Sequence, residues 1–475
     1  MNTHESGNRA VAVRINPRLE YGATHRAEIK EELRALMACL GADVNRPLAG
    51  VVRPGDAVVI KPNLVLDRVS DPRSALTAGQ VVEAVTDLVL EALDGNGQVI
   101  IADVPLQSAD FEAVIELTGL DPVIARYERE GAPVRILDLR KERLRIVNGM
   151  YRGVQPLRGD PLGYTVVNLG EASELEALHS DRERFAVGDY DQESTKRYHM
   201  SSNRNEYLIP KTILAADVLI NLPKIKTHKK AGITCALKNL VGICGHKSYL
   251  PHYRVGMPED HGDEFAVNHS IKELQRDTID RLKSSNALVY KTARTVGRFI
   301  LGLAMAREPE DLRKVMAGSW YGNDTLWRTI LDLNKIARYA DSAGQLHATP
   351  QRRYLCIADG IYSGEGDGPL RPSTRHDGIL IAGANPVLVD LVVCLLMGIA
   401  PEAIRQVHHA FAVTRYPLVD ISFEEAMNRL PELVTSGVWP LPDLHYALPP
   451  AWEGHVARLA PGPPRGGTVH GGGAA

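Results

Sequence analysis

Residues 218–247 read VLINLPKIKTHKKAGITCALKNLVGICGHK. The apolar run VLINLP ends in Lys224, Lys226, Thr227, His228, Lys229 and Lys230, and a small-residue, helix-compatible stretch follows with Lys238 and Asn239. A buried strand that opens into cations just before a helix is where an α/β protein holds an anion. The helix start offers free N–H groups and a positive dipole end, and the lysines add full charges. His228 is an acid/base candidate, because its neutral form is available near pH 7. The alternative is a solvated basic turn after a core strand, since charge runs usually face water.

Three other apolar runs also end in polar groups. Residues 57–60 lead into Lys61, Pro62 and Asn63, residues 98–102 into Asp103, and residues 354–358 into Asp359 and then GIYSGEGDGP with Glu365 and Asp367. In an open parallel sheet, ligands bind outside the carboxyl ends of the strands, so residues at successive strand ends converge. Lys61, Asn63, Lys224, Lys226, Asp359 and Glu365 are therefore expected to line one pocket. Asp359, Glu365 and Asp367 lie close together among glycines. An all-oxygen set on such a loop suits Mg²⁺ or Mn²⁺ better than zinc, and a tight acidic surface turn is the alternative. No GxxxxGK[ST] phosphate loop and no dinucleotide fingerprint occurs. Residues 247–265 concentrate His252, Arg254, Asp260, His261, Asp263 and Glu264. This stretch reads as an active-site loop whose His252 and Arg254 contact substrate, or else as a surface loop.

The elements that must position these groups alternate. Strand-like runs at 11–15, 57–65, 98–106, 134–140, 218–224, 354–362 and 378–386 are separated by helix-compatible segments such as 78–93 and 111–120. The runs are continuously apolar, as parallel strands covered on both faces tend to be. The expected fold is α/β, a mostly parallel sheet flanked by helices, with an inserted polar segment and a helical subdomain. Its parts are an N-terminal α/β part (1–140), a polar cap (141–205), a core with the lysine motif and loop (206–269), a helical subdomain (270–345), a C-terminal α/β part (346–448) and a disordered tail (449–475). Asn385, followed by Pro386, suits a helix N-cap, and Asp324 suits another. FILGLAMA (299–306) reads as core or as a surface between copies of the chain.

The chain has 475 residues and a formal net charge of −3, which disfavours a nucleic-acid or membrane-surface binder. Its five cysteines form no CxxC, which argues against a disulfide framework, a zinc ribbon or an iron–sulfur cluster. The start lacks the apolar stretch of a secretory signal, and no apolar run is long enough to span a bilayer, so a cytoplasmic protein is expected.

KPNLV (61–65), LPKIKTH (222–228), AGITCALKNLVG (231–242), GNDTLWRTILDLN (322–334) and DGIYSGEGDGP (359–369) resemble a bacterial family catalogued as domain of unknown function 362. The likeness covers most of residues 50–400. In ADVPLQSADFE (102–112) and LPHYR (250–254) the chain is similar to the branch found among polysaccharide and specialised-metabolite genes. Some members of the family carry a ferredoxin-type module, a role that does not transfer without the cysteines. The expected function is an enzyme acting on a phosphorylated or carboxylated small molecule by isomerisation, elimination or group transfer. Lys61, Lys224, Lys226 and Lys238 would neutralise the anion beside Asn63 and Asn239. His228, Lys226, Asp359 and Glu365 would be catalytic, or Asp359, Glu365 and Asp367 would hold a metal. The rival is a binding protein for an anionic metabolite that does no chemistry.

Overall fold

The computed structural model describes residues 9–147, 150–188, 192–201, 203–266, 315–435 and 439–459. Its strands in chain order begin with β1 (Val11–Ile15), β2 (Ala57–Pro62), β3 (Gln98–Asp103) and β4 (Val134–Asp138). Five smaller or peripheral strands follow: β5 (Glu142–Val147), β6 (Met150–Pro156), β7 (Tyr164–Asn168), β8 (Phe185–Ala186) and β9 (Glu206–Pro210). Next come β10 (Val218–Leu222), β11 (Lys224–His228), β12 (Gly232–Thr234), β13 (Tyr253–Arg254), β14 (Arg353–Glu365) and β15 (Ser373–Gly383). The main sheet runs β1-β15-β14-β10-β2-β3-β4. The five strands from β14 to β4 are parallel, while β15 and β1 close that edge antiparallel.

Apolar residues on both sides of each strand account for helices on both faces. Along β14, Leu355 and Ile357 join one core while Cys356 and Ala358 join the opposite one, as a period of two requires. The first core takes its cover from α1 (Arg26–Cys39), α2 (Gly79–Leu93) and α3 (Phe111–Thr118), and α4 (Asp121–Glu130) follows against β4. The second is covered by α5 (Leu326–Tyr339) and α6 (Pro386–Leu396). Asn385 caps α6 through Val387 N and Leu388 N, as expected. At α5 the cap is Asn323, whose Oδ1 accepts from Thr325 N and Leu326 N. Asp324 instead turns to Trp327 Nε1 and Arg405. Among the described residues no helix is long and apolar enough to cross a membrane.

Several boundaries differ from the sequence reading. Beyond Pro223 the chain does not enter a helix; it continues as the β11–β12 hairpin, and only then makes a single helical turn, Ala236–Asn239. DGIYSGE is not a loop but the second half of β14, held between β11 and β15. Residues 141–205 hold the β5–β6 hairpin and β7, which pairs with β9. Most of the expected helical subdomain, 267–314, lies outside the described residues, and α5 is its described part. The tail reading is corrected over 449–459. Trp452 is 2% exposed there and donates from Nε1 to Lys229 O at 2.8 Å. That contact clamps the β11–β12 turn, where Gly232 (φ 77°) leaves no room for a side chain against Trp452 and Ile404. Burial of one large indole outweighs the Pro- and Gly-rich composition around it. Residues 460–475 lie outside the described set.

Candidate functional site: a lysine-lined cavity

The carboxyl ends of β2 and β3, the β11–β12 hairpin and the Ala236–Asn239 turn surround a cavity of about 230 Å³. Six lysines line it, namely Lys61, Lys226, Lys229, Lys230, Lys238 and Lys247, together with His228 and His252. The one lining carboxylate among the described residues, Asp103, is already engaged. Lys61 Nζ donates to Asp103 Oδ1 at 2.6 Å, Val104 N donates to the same oxygen at 2.8 Å, and Leu64 N donates to Oδ2 at 2.7 Å. The pair needs a glycine behind it. A Cβ at Gly242 would stand 2.5 Å from Asp103 Oδ1 and 2.7 Å from Lys61 Nζ.

A break in register decides which cations reach the cavity. Lys224 sits opposite Asp359 and Lys226 opposite Gly364, so two steps along β11 match five along β14. Lys224 therefore meets Asp359 and Tyr21, whereas Lys226, five β14 positions further on, meets Asn63 and Ala75. Lys226 Nζ donates to Asn63 Oδ1 at 2.9 Å and to Ala75 O. Asn63 Nδ2 then donates to Asn239 Oδ1 at 2.8 Å, and Asn239 Nδ2 to Asn221 Oδ1 at 2.7 Å, which fixes both amides. Burial, reinforced by Lys238 and Lys224, holds the Lys226 pKa well below the ordinary lysine range.

Lys238 is half-buried and has neither a hydrogen bond nor a carboxylate among the described residues. Burial, with Lys61 and Lys247 nearby, pushes its pKa down to about 8. The turn that carries it is gripped from behind. Asp390 of α6 accepts from Ala236 N at 2.6 Å and Leu237 N at 3.0 Å, and Asn334 of α5 donates to Leu237 O at 2.9 Å. Two further groups on the cavity wall, Gln107 Nε2 and Thr234 Oγ1, are buried without a hydrogen-bond partner. A buried polar group left unpaired costs about 1–3 kcal/mol, a cost that a bound ligand removes.

The two histidines are held in opposite tautomers. His228 Nδ1 accepts from Lys230 N at 3.0 Å and Ala231 N at 3.2 Å, so the neutral ring carries its proton on Nε2. His252 Nδ1 donates to Leu250 O at 2.8 Å, which leaves Nε2 bare. Burial first, and lysines second, hold both pKa values well below the usual imidazole value. The cavity thus holds an N–H donor and a lone-pair acceptor, both neutral at pH 7. His228 fits the donor's part better than the base's, because its Nδ1 is taken.

Of the residues singled out in the sequence, the cavity brings together Lys61, Asn63, Lys226, His228, Lys238, Asn239 and His252. It does not include Lys224, Asp359, Glu365, Asp367 or Arg254. Lys224 and Asp359 are fully buried and close on each other at 3.0 Å, and Tyr21 donates to Asp359 Oδ1 at 2.5 Å. Their charges are spent inside the fold. Glu365 pairs with Arg375 at 3.0 Å and accepts from Ala447 N at 2.9 Å, and Asp367 is exposed. The three carboxylates read as a metal set therefore stand apart, because strand geometry spreads what a loop would have gathered. Arg254 donates from Nε to His261 O at 2.7 Å and lines a separate, more open cleft with Asp324. Among the described residues no group of three His, Cys, Asp or Glu side chains is placed to hold a metal ion.

Among the polar lining residues, three escaped the sequence reading: Gln107, Thr234 and Lys247. Thr234 faces Lys226 across the hairpin. The pattern KTHKKAGIT could have shown it, since a turn at KKAG places Thr234 opposite Lys226.

The family model described as domain of unknown function (DUF362) matches residues 58–158 and 164–395. A thylakoid-associated protein of Synechocystis sp., sll1697, is 27% identical over 373 residues, covering 78% of this chain and 71% of its own. A crystal structure of a protein from Thermotoga maritima aligns over 74% of this chain with 12% identity and a TM-score of 0.30. The chain spans 56% of that protein's length.

Proposed function

The chain belongs to the family of domain of unknown function 362, and from that premise we propose that its lysine-lined cavity is the active site of an enzyme acting on a phosphorylated or carboxylated small molecule. One observation carries this reading: Lys238 lines the cavity with no acceptor among the described residues, while the one lining carboxylate among them, Asp103, is already bound to Lys61. Uncompensated buried charge is costly, and an anion supplies the missing partner. Lys226 and Lys238 would meet the anion, and Thr234 Oγ1 and Gln107 Nε2 would donate to it. His252 Nε2 would take a proton from the atom next to the anionic group, and His228 Nε2–H would meet the negative charge that develops. Proton abstraction of this kind leads to isomerisation or elimination.

The motifs 102–112 and 250–254 support a substrate from cytoplasmic cell-surface carbohydrate or specialised-metabolite biosynthesis. Both contribute lining residues, Asp103 to Gln107 from the first and Leu250 and His252 from the second. A Mg²⁺ or Mn²⁺ ion, in this reading, would arrive on the substrate's own oxygens, because Asp359 and Glu365 are engaged elsewhere. The rival reading, a binding protein, needs the lysines but not a bare imidazole.

The test is calorimetric titration with inorganic phosphate and pyrophosphate. Lys238→Met should weaken pyrophosphate binding about ten- to a hundredfold, the worth of a charge-assisted contact. His252→Gln should keep binding but abolish proton exchange with deuterated water across a panel of phosphorylated and carboxylated metabolites. Wild-type protein that binds neither anion would overturn the reading. Anion binding without any exchange on that panel would favour the binding protein.

A further inference from the structure

The cations of the cavity are not equivalent. Lys61 is tied to Asp103, and Lys226 is tied to Asn63 Oδ1 and Ala75 O. Lys238 alone of these three has no acceptor among the described residues, yet it sits on a turn held by Asp390 and Asn334. An unpaired cation on an anchored turn serves an anion, and the same placement also suits chemistry at the amine itself. An attacking amine must be positioned and must keep its lone pair.

We propose that Lys238 is an amine nucleophile that forms an imine with the carbonyl group of an anionic aldehyde or oxo acid. The inference rests on the cavity being an anion site, with Thr234 Oγ1 and Gln107 Nε2 as donors to the substrate's phosphate or carboxylate. Nζ bonds to the carbonyl carbon while the C=O π bond opens to an oxyanion, which takes one proton from the amine. The second amine proton then goes to the resulting hydroxyl, the C–O bond breaks, and water leaves behind a neutral imine. No oxidant or reductant takes part. His252 Nε2 is the bare site that carries these protons, and His228 Nε2–H is the donor for the oxyanion. Burial beside Lys61 and Lys247 keeps part of the Lys238 population as free amine at neutral pH.

The test uses pyridoxal 5′-phosphate, an aldehyde bearing a phosphate, with sodium cyanoborohydride and peptide mapping by mass spectrometry. The expected result is one fast adduct at Lys238. Its rate should be half-maximal near pH 8, and inorganic phosphate should suppress it. Lys238→Arg should lose the adduct at that position, because a guanidinium forms no imine. The wild-type peptide map needs no variant and decides the matter even if that substitution impairs folding. Phosphate binding with Lys238 labelled no faster than surface lysines overturns the imine alone. Labelling that phosphate does not suppress overturns the anion site, and the inference with it.

Discussion

Asp103→Asn removes the one carboxylate that lines the cavity while keeping its shape. In the wild type, Lys61 is 1% and Asp103 3% exposed, and the two meet at 2.6 Å. Asp103 Oδ1 serves Lys61 and Val104 N, and Oδ2 serves Leu64 N. An asparagine has one oxygen, so whichever way it turns, its NH₂ faces a donor. If the oxygen stays on Lys61 and Val104, Leu64 N is orphaned. If it turns to Leu64, Lys61 and Val104 N lose their acceptor, and in either orientation the Lys61 ammonium loses its counter-charge. Removing one member of a buried pair costs about 3–5 kcal/mol. The assay is urea unfolding, and the expected result is a lower midpoint worth about 3–5 kcal/mol at unchanged slope. The variant cavity also carries one more net positive charge. Phosphate should therefore bind the variant more tightly than the wild type, although at about a hundred times the respective dissociation constant it stabilises either by about 2.7 kcal/mol. The Lys61→Met, Asp103→Asn double variant should recover much of the loss, because neither residue then buries a lone charge. A cost below about 1 kcal/mol with phosphate affinity unchanged would refute the idea that this pair balances the cavity.

Two further outcomes follow from the same geometry. Sulfate, which does not titrate near neutrality, should bind with a nearly constant affinity below pH 8 and about tenfold more weakly at pH 9. The reason is that Lys238 loses its charge as pH rises through about 8, and an anion favours the charged form; calorimetry at pH 7 and pH 9 checks it, and equal affinities would remove Lys238 from the site. Glu365→Gln should leave sulfate affinity unchanged and cost no more than about 1 kcal/mol, since Glu365 and Arg375 form a partly exposed pair. A loss of affinity above tenfold would return the acidic strand end to the site.

The parts of the fold that depend on local pattern were legible in the sequence. Continuous apolar runs located β2, β3 and β10, and the rule that ligands gather at their carboxyl ends placed Lys61, Asn63 and Lys226 together. The Asn385 cap was readable because its partners lie within three residues. Features that depend on distant partners were not. Asp359 looks like a metal ligand among glycines until Tyr21, 338 positions away, donates to it and Lys224 closes on it. The bulge between Lys224 and Lys226 arises from β11 being matched to β14 rather than from β11 itself. Nothing in KIKTH distinguishes the lysine that becomes structural from the one that reaches the cavity. The histidine tautomers follow from backbone turns at Lys230 and Leu250, which composition does not reveal.

The clamp of Trp452 on the β11–β12 turn has a consequence for the order in which the molecule is made. The indole lies 223 positions beyond Lys229, whose carbonyl it holds. A ribosome that has delivered all nine strands of the main sheet has still not delivered this residue. Non-local contacts of such separation form late, after the loops between them have closed. During synthesis the lysines must therefore wait, near one another and without their last buttress, while the rest of the sheet assembles. The vulnerable moment in the life of this chain is then not unfolding but completion.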